Sequence, residues 1–255
     1  MSDPIDVIAI AKIAAVAQQI ARVESAPAPV RRYRAVLFQA ALSLIAGVFA
    51  VLTFLVKTMP SFLVDLQITK AIQLISIPGL ASFMGLVSWP GFAPQVAIIV
   101  GLITFAIYGF GLHWEAAMAL IAALFSTAIN LLAKGLIQRP RPAPELVNVS
   151  DILNSYSFPS GHVMFYVGFF GFIGFLAFTL LKPSLKRGLL LTISGSLVAS
   201  IGPSRIYLGA HWASDVLGAY LLGSLMLAAI VQFYIWGKTR FFVHQPVAAA
   251  EPQQS

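Results

Sequence analysis

Long apolar runs dominate the chain, and polar residues gather in the gaps between them. A helix needs about 20 mostly apolar residues to cross the hydrocarbon core of a bilayer. Six stretches approach or exceed that length with no Lys or Arg inside: 35–56, 92–112, 115–133, 160–181, 188–204 and 212–236. The only acidic residues within them are Glu115 and Asp215, each near the start of its run. The segment 61–90 carries Asp65 and Lys70 and is broken by Pro78, Gly79 and Pro90, which predicts a helical piece lying along one interface instead of crossing. The fold class expected is therefore all-α: a polytopic membrane protein with a six-helix bundle over 35–236.

The flanks read differently. Residues 1–34 carry Asp3 and Asp6 where a secretory signal would be basic, so they form a leader and not a cleaved signal. Ile13, Val16, Ile20 and Val23 share one helical face, which suits either an interfacial helix or an Ala-rich disordered leader. Pro27 and Pro29 predict a break before the first span, and 237–255 is a polar tail.

Composition supports the bilayer assignment. With 59% hydrophobic and 10% charged residues and a mean hydropathy of +0.88, polar side chains are too few to cover a surface facing water. The absence of cysteine excludes disulfides, thiolate nucleophiles and sulfur-built zinc sites. The net charge of +7 reads as basic loops against anionic lipid, with no nucleic-acid partner implied. Six crossings put both termini on one side, and placing them in the cytoplasm leaves ten Lys and Arg inside against six outside. Arg31, Arg32 and Arg34, directly before the first span, weigh most in that choice. The six external cations, Lys57, Lys70, Lys134, Arg139, Arg141 and Arg205, need another reason to be there.

Three polar clusters fall at span ends on that same predicted outer side. The first is KGLIQRPRP, with Lys134, Arg139 and Arg141; alone it could be a collar of cations reaching for the interface. The second, SYSFPSGH, runs from Ser155 to His162 and opens the fourth span. Unpaired N–H groups at a helix N-terminus favour an anion, Gly161 lets it approach the backbone, and His162 would sit beside it. An ordinary helix start with an incidental imidazole is the alternative. In the third, SRIYLGAHWASD, Ser204 and Arg205 end one span while His211 and Asp215 begin the next. Their spacing of four predicts one helix face, with the carboxylate bonded to one ring nitrogen and the other nitrogen left as a nucleophile. A structural ion pair is the alternative, but ionisable pairs at membrane depth are expensive.

Together these residues resemble the type 2 phosphatidic acid phosphatase (PAP2) superfamily of integral membrane lipid phosphatases. Its signature joins a Lys followed after six residues by Arg-Pro, then Pro-Ser-Gly-His, then Ser-Arg with a spaced His and Asp. Lys134, Arg141 and Pro142 match the first part, Pro159 to His162 the second, and Ser204, Arg205, His211 and Asp215 the third. The resemblance implies that His211 forms a phosphohistidine, with Asp215 orienting it and His162 acting as acid and base. Lys134, Arg141, Ser160, Gly161 and Arg205 would bind the phosphate, and Arg139, outside the register, would be a supporting phosphate contact at best. No cofactor and no metal are expected, since cations fill the electrostatic role and no carboxylate cluster is apparent. His113 and His244 fall on the opposite side and carry no role.

The expected substrate is a phosphate monoester or diphosphate of a membrane lipid, taken at the extracytoplasmic face of the inner membrane. The wording of the second and third clusters resembles bacterial members and favours a polyprenyl diphosphate over phosphatidylglycerophosphate, phosphatidic acid or lipid A phosphates. Lipid phosphotransfer through the same intermediate is an alternative, as is a transporter or scaffold without chemistry, although such a descendant should have lost His211, His162 or Arg205. Six apolar spans argue against the superfamily's soluble haloperoxidases. Oligomeric state is not legible.

Overall fold

The structure, a computed structural model, describes residues 28–59, 62–150 and 153–242. Over these residues it is helical. In chain order the elements are α1 (Ala28–Thr58), α2 (Leu63–Gln73), α3 (Leu80–Ser88), a 3₁₀ turn (Trp89–Gly91), α4 (Ala93–Gly109), α5 (His113–Ile137), α6 (Gly161–Leu180), α7 (Leu185–Tyr207) and α8 (Ala213–Phe241). The interfacial leader helix suggested by Ile13 to Val23, the tail from 243 and His244 lie outside the described residues.

Five helices, α1, α5, α6, α7 and α8, are each long and apolar enough to span a bilayer. The sixth candidate is a bent pair, with the geometry of a broken span or a re-entrant loop: Leu80–Gly91 and Ala93–Gly109 meet at 63°. At 1.5 Å per residue α4 alone extends about 25 Å, short of a hydrocarbon core of about 30 Å. The expected span 92–112 contains α4, and α3, part of the segment expected to lie on the interface, joins it across the bend. The first span also begins earlier than the break at Pro27 and Pro29 suggests. Pro29 falls in the first turn of α1, where a missing N–H removes no intrahelical bond.

Outward-facing Leu44, Phe54, Leu102, Phe105 and Leu131 are exposed, as lipid-facing positions should be. Inside, α6 is the central element, with Val163, Met164, Tyr166, Phe169 and Phe172 fully buried. Small residues let its neighbours approach closely: Ala119 and Ala122 on α5, Ala219 and Gly223 on α8. Residues Tyr166–Phe170 form a π-helical turn within α6, and Gly168 there lies so near Ser126 that a Cβ would fall 2.0 Å from its Oγ.

Pro203 sits inside α7, where it cannot donate to the preceding turn. The Tyr220 hydroxyl of α8 enters that gap, accepting from Gly202 N at 3.2 Å and donating to Val198 O at 2.7 Å. The local backbone groups stay satisfied, and the end of α7, which carries Ser204 and Arg205, is pinned to α8.

The C-terminal ends of α5 and α7 and the N-terminal ends of α6 and α8 share one end of the bundle. Lys57, at the close of α1, donates to Leu136 O at 2.7 Å there, so Arg31, Arg32 and Arg34 lie at the other end. At that far end Glu115 pairs with Lys238 at 2.7 Å and accepts from the Tyr234 hydroxyl at 3.0 Å, tying α5 to α8. His113 meets the Tyr108 ring at a 40° tilt at the same end, remote from the polar clusters.

Candidate active site

His211 is placed by the way α7 stops. Gly209 adopts φ +65°, a left-handed conformation open to glycine, and its backbone runs against Asn148, whose O would lie 2.0 Å from any Cβ. The chain then folds back, so that the amides of Ala210 and His211 both donate to Arg205 O. The sequence expectation of one helix carrying both His211 and Asp215 is corrected here: α8 begins at Ala213, and His211 stands in the turn before it. The two side chains still converge because Asp215 caps that helix, its Oδ2 accepting from Trp212 N at 2.9 Å.

Fully buried, His211 has a defined tautomer. Arg141 Nη1 lies 3.2 Å from its Nε2, and a guanidinium can only donate, so Nε2 carries a lone pair and the proton resides on Nδ1. Nδ1 faces Ser157 Oγ at 3.4 Å and Asp215 Oδ2 at 3.6 Å. The direct His–Asp hydrogen bond expected from the spacing is thus a longer contact, with the Ser157 hydroxyl bonded to Asp215 Oδ2 beside it. Burial, and then the positive charges of Arg141, Arg205 and Lys134, hold His211 well below its ordinary pKa, with Ser157 opposing. The neutral ring with a bare Nε2 is the form a nucleophile needs.

The cations come from three elements. Lys134, in the last turn of α5, donates to Tyr156 O. Arg141 is braced by Ser155 O at 2.7 Å and Ala210 O at 2.6 Å, and burial draws its pKa below the usual arginine value, with Asp215 opposing. Arg205 donates to Ser88 Oγ at 3.1 Å, and its guanidinium lies over the Phe92 ring. Ser88 in turn bonds Ser204 Oγ at 2.7 Å, which secures the bent α3–α4 corner to α7.

The second cluster starts α6. Asn130 on α5 donates to Pro159 O at 3.0 Å and so fixes the turn, and a Cβ on Gly161 would come within 3.0 Å of Asn130 Oδ1. Ser160 Oγ and His162 Nε2 are buried with no hydrogen-bond partner among the described residues. The His162 ring is walled by Phe92, edge-on at 4.9 Å, and by Gly91.

Arg139 does not face this cradle. It is buried between Asp65, at 2.7 Å, and Asp215, at 2.5 Å, so the expectation of a phosphate contact gives way to a bridge between carboxylates. Ser157, Ser88, Gly91, Phe92, Asn130 and Asp65 are site or supporting residues that sequence reasoning did not single out. Asn130 and Asp65, polar or charged within apolar stretches, were the available signals.

A cavity of about 740 Å³ joins these groups to the membrane side. Lys134, Arg141, His162 and His211 line its polar end, and Val96, Val100, Leu120 and Leu124 of α4 and α5 line its apolar remainder.

The model of the PAP2 superfamily matches residues 114–238. Phosphatidylglycerophosphatase B of Bacillus subtilis (strain 168) is 30% identical over 175 residues, which cover 66% of this chain and 82% of that protein. The chain belongs to the PAP2 superfamily. Among solved PAP2 structures, the transmembrane phosphatidylglycerolphosphate phosphatase from Bacillus subtilis superposes with a TM-score of 0.67 at 26% identity, covering 75% of this chain and 94% of its own. LpxE of Aquifex aeolicus superposes with a TM-score of 0.54 over 68% of this chain and 98% of its own; at 21% identity it speaks to the fold alone. The protein is a multi-pass membrane lipid phosphatase, a phosphoric monoester hydrolase of the PAP2 type.

Proposed function

We propose that this phosphatase removes the terminal phosphate monoester of a glycerophospholipid, phosphatidylglycerophosphate first among them, through a phosphohistidine at His211. The observation that carries the reading is the two-part cavity: a cationic, histidine-bearing end continuous with an apolar cleft between α4 and α5. Leu120, Leu124 and Leu131 line that cleft and are also exposed on the outer face of α5, so a lipid can enter sideways with its tails in hydrocarbon. The name of the Bacillus subtilis phosphatase and the description of the Bacillus subtilis structure move the substrate preference from polyprenyl diphosphate to phosphatidylglycerophosphate.

In this reading Lys134, Arg141 and Arg205 neutralise the phosphoryl oxygens, aided by Ser160 and the Gly161 amide at the start of α6. Arg141 leaves Nε2 of His211 for the phosphate, and that nitrogen attacks phosphorus in line as the P–O bond to the lipid breaks. His162 takes a proton from the bound phosphate monoester and gives it to the departing alkoxide. The resulting neutral ring then takes a proton from water, whose oxygen attacks the phosphohistidine; inorganic phosphate leaves and His211 returns to its neutral form. Asp215 balances the positive charge that develops on the His211 ring. The three cations supply the charge that a divalent ion provides elsewhere, so the reading includes turnover without metal.

Arg31, Arg32 and Arg34 at the start of α1, and the Lys and Arg of the α6–α7 connection and of the end of α8, lie opposite the site, which supports an extracytoplasmic site with cytoplasmic termini. The test is phosphate release in EDTA by purified protein, with phosphatidylglycerophosphate, phosphatidic acid, polyprenyl diphosphate and lipid A phosphates as substrates and His211→Ala alongside. Preference for phosphatidylglycerophosphate, lost in the variant, is expected. Preference for another class rejects the substrate assignment. Lipid-bound product without free phosphate identifies phosphotransfer, and inhibition by EDTA that magnesium reverses rejects metal independence.

A further inference from the structure

Outside the signature, one buried ion cluster touches the nucleophile's partner. Arg139 bridges Asp65 Oδ2 at 2.7 Å and Asp215 Oδ1 at 2.5 Å, and all three side chains are shielded from solvent. Asp65 comes from α2, far from the motifs in sequence. Its Oδ1 accepts from Ser214 N at 2.8 Å and its Oδ2 from Ser214 Oγ at 2.5 Å, which docks α2 on the first turn of α8, next to Asp215. Arg139 also reaches Ser214 Oγ at 2.7 Å and lies over the Phe62 ring.

The charge count of this cluster gives it a role. Arg139 against Asp215 alone would make a neutral pair, leaving nothing to balance the cationic His211 ring that forms as phosphorus is attacked. Asp65 restores one net negative charge to the trio, and the planar guanidinium fixes the direction of Oδ1, so Oδ2 is held toward Ser157 and His211. We propose that Asp65 and Arg139 are positioning residues, which through Asp215 set both the orientation of the His211 ring and the net negative charge behind it. The inference rests on His211 being the nucleophile, as in the proposed function. A merely structural staple between α2 and α8 would use the same bonds, so the test must separate charge from attachment.

Asp65→Asn brings the trio from one net negative charge to zero, and Asp65→Asn combined with Arg139→Gln returns it to one. Steady-state phosphate release from phosphatidylglycerophosphate in detergent micelles is measured for wild type, both single variants, the double variant and His211→Ala, with thermal midpoints to confirm folding. Asp65→Asn should lower kcat by about 10- to 100-fold with KM within about threefold, because phosphate binding is untouched and the developing charge is not. The double variant should recover about tenfold over Asp65→Asn, a coupling within the range of directly interacting residues. A staple predicts the opposite, since cutting both ends cannot help. A folded double variant no faster than Asp65→Asn overturns the inference, as does a loss confined to KM.

If Asp65→Asn yields no folded protein, Arg139→Gln against the double variant decides. Adding Asp65→Asn should leave the rate of Arg139→Gln unchanged or raise it, and a further tenfold loss rejects the charge role. His211→Ala that still turns over at the wild-type rate would instead reject the underlying mechanism, whatever the other variants do.

Discussion

Replacing Gly91 by alanine brings a methyl group against the imidazole of His162. An ideal Cβ at Gly91 would lie 2.2 Å from His162 Cδ2, 2.8 Å from Cγ and 2.9 Å from Nε2. Ordinary carbon contacts begin near about 3.5 Å, so the ring must move by more than about 1 Å. Phe92 stands edge-on at 4.9 Å and limits where it can go. An ångström of misplacement at a reacting group costs about a hundredfold in rate, whereas the ring borders the cavity and can turn into it with little loss of stability. Gly91→Ala should therefore lower kcat by about 30- to 100-fold and leave the thermal midpoint near that of wild type. His162→Ala, measured beside it, should be slower still. The assay is steady-state phosphate release in micelles, with unfolding followed by circular dichroism. A folded Gly91→Ala protein within about threefold of wild-type kcat would show that the observed position of His162 is not needed for turnover.

Arg205→Lys should reduce kcat/KM by about a hundredfold in the same assay, because an ammonium cannot hold Ser88 and two phosphoryl oxygens in one plane; a loss below fivefold would remove Arg205 from the cradle. His211 should remain neutral in ¹⁵N-histidine NMR at pH values well below 6.5, since burial and three cations oppose its protonation. Arg141→Gln should move its titration upward, and an unshifted midpoint would contradict that electrostatic account. At the far end, Glu115→Gln leaves Lys238 buried without its counter-charge and should cost about 3 kcal/mol, read as a lower thermal midpoint. An unchanged midpoint would mean that the pair is dispensable.

Much of the architecture was legible because length and apolarity alone decide a crossing, and five of the six predicted runs correspond to single spanning helices. The sixth, 92–112, contains α4, but the 63° bend that joins it to α3 at Phe92 is one that no periodicity announces. The three motifs mark positions along the chain, and the ends of α5, α6, α7 and α8 bring those positions together. What the motifs do not contain is their support. Ser88, Gly91 and Asp65 act from segments more than a hundred residues from His211, in contacts with no local sequence pattern. Spacing also misled at two places. His211 and Asp215 looked like neighbours on a helix face, but Gly209 ends α7 in a turn that holds His211 outside α8. Arg139 looked like a spare phosphate ligand, but the buried carboxylates of Asp65 and Asp215 claim both of its terminal nitrogens.

The most direct test of the mechanism is to trap the covalent intermediate. Wild-type protein is mixed with lipid carrying a labelled terminal phosphate, quenched within milliseconds in alkali, where a phosphohistidine survives, and digested for mass spectrometry. The account predicts label on the peptide containing His211, stable to alkali, labile to acid and missing from His211→Ala. Label on His162, or wild-type turnover by His211→Ala with no enzyme-bound phosphate, would contradict it.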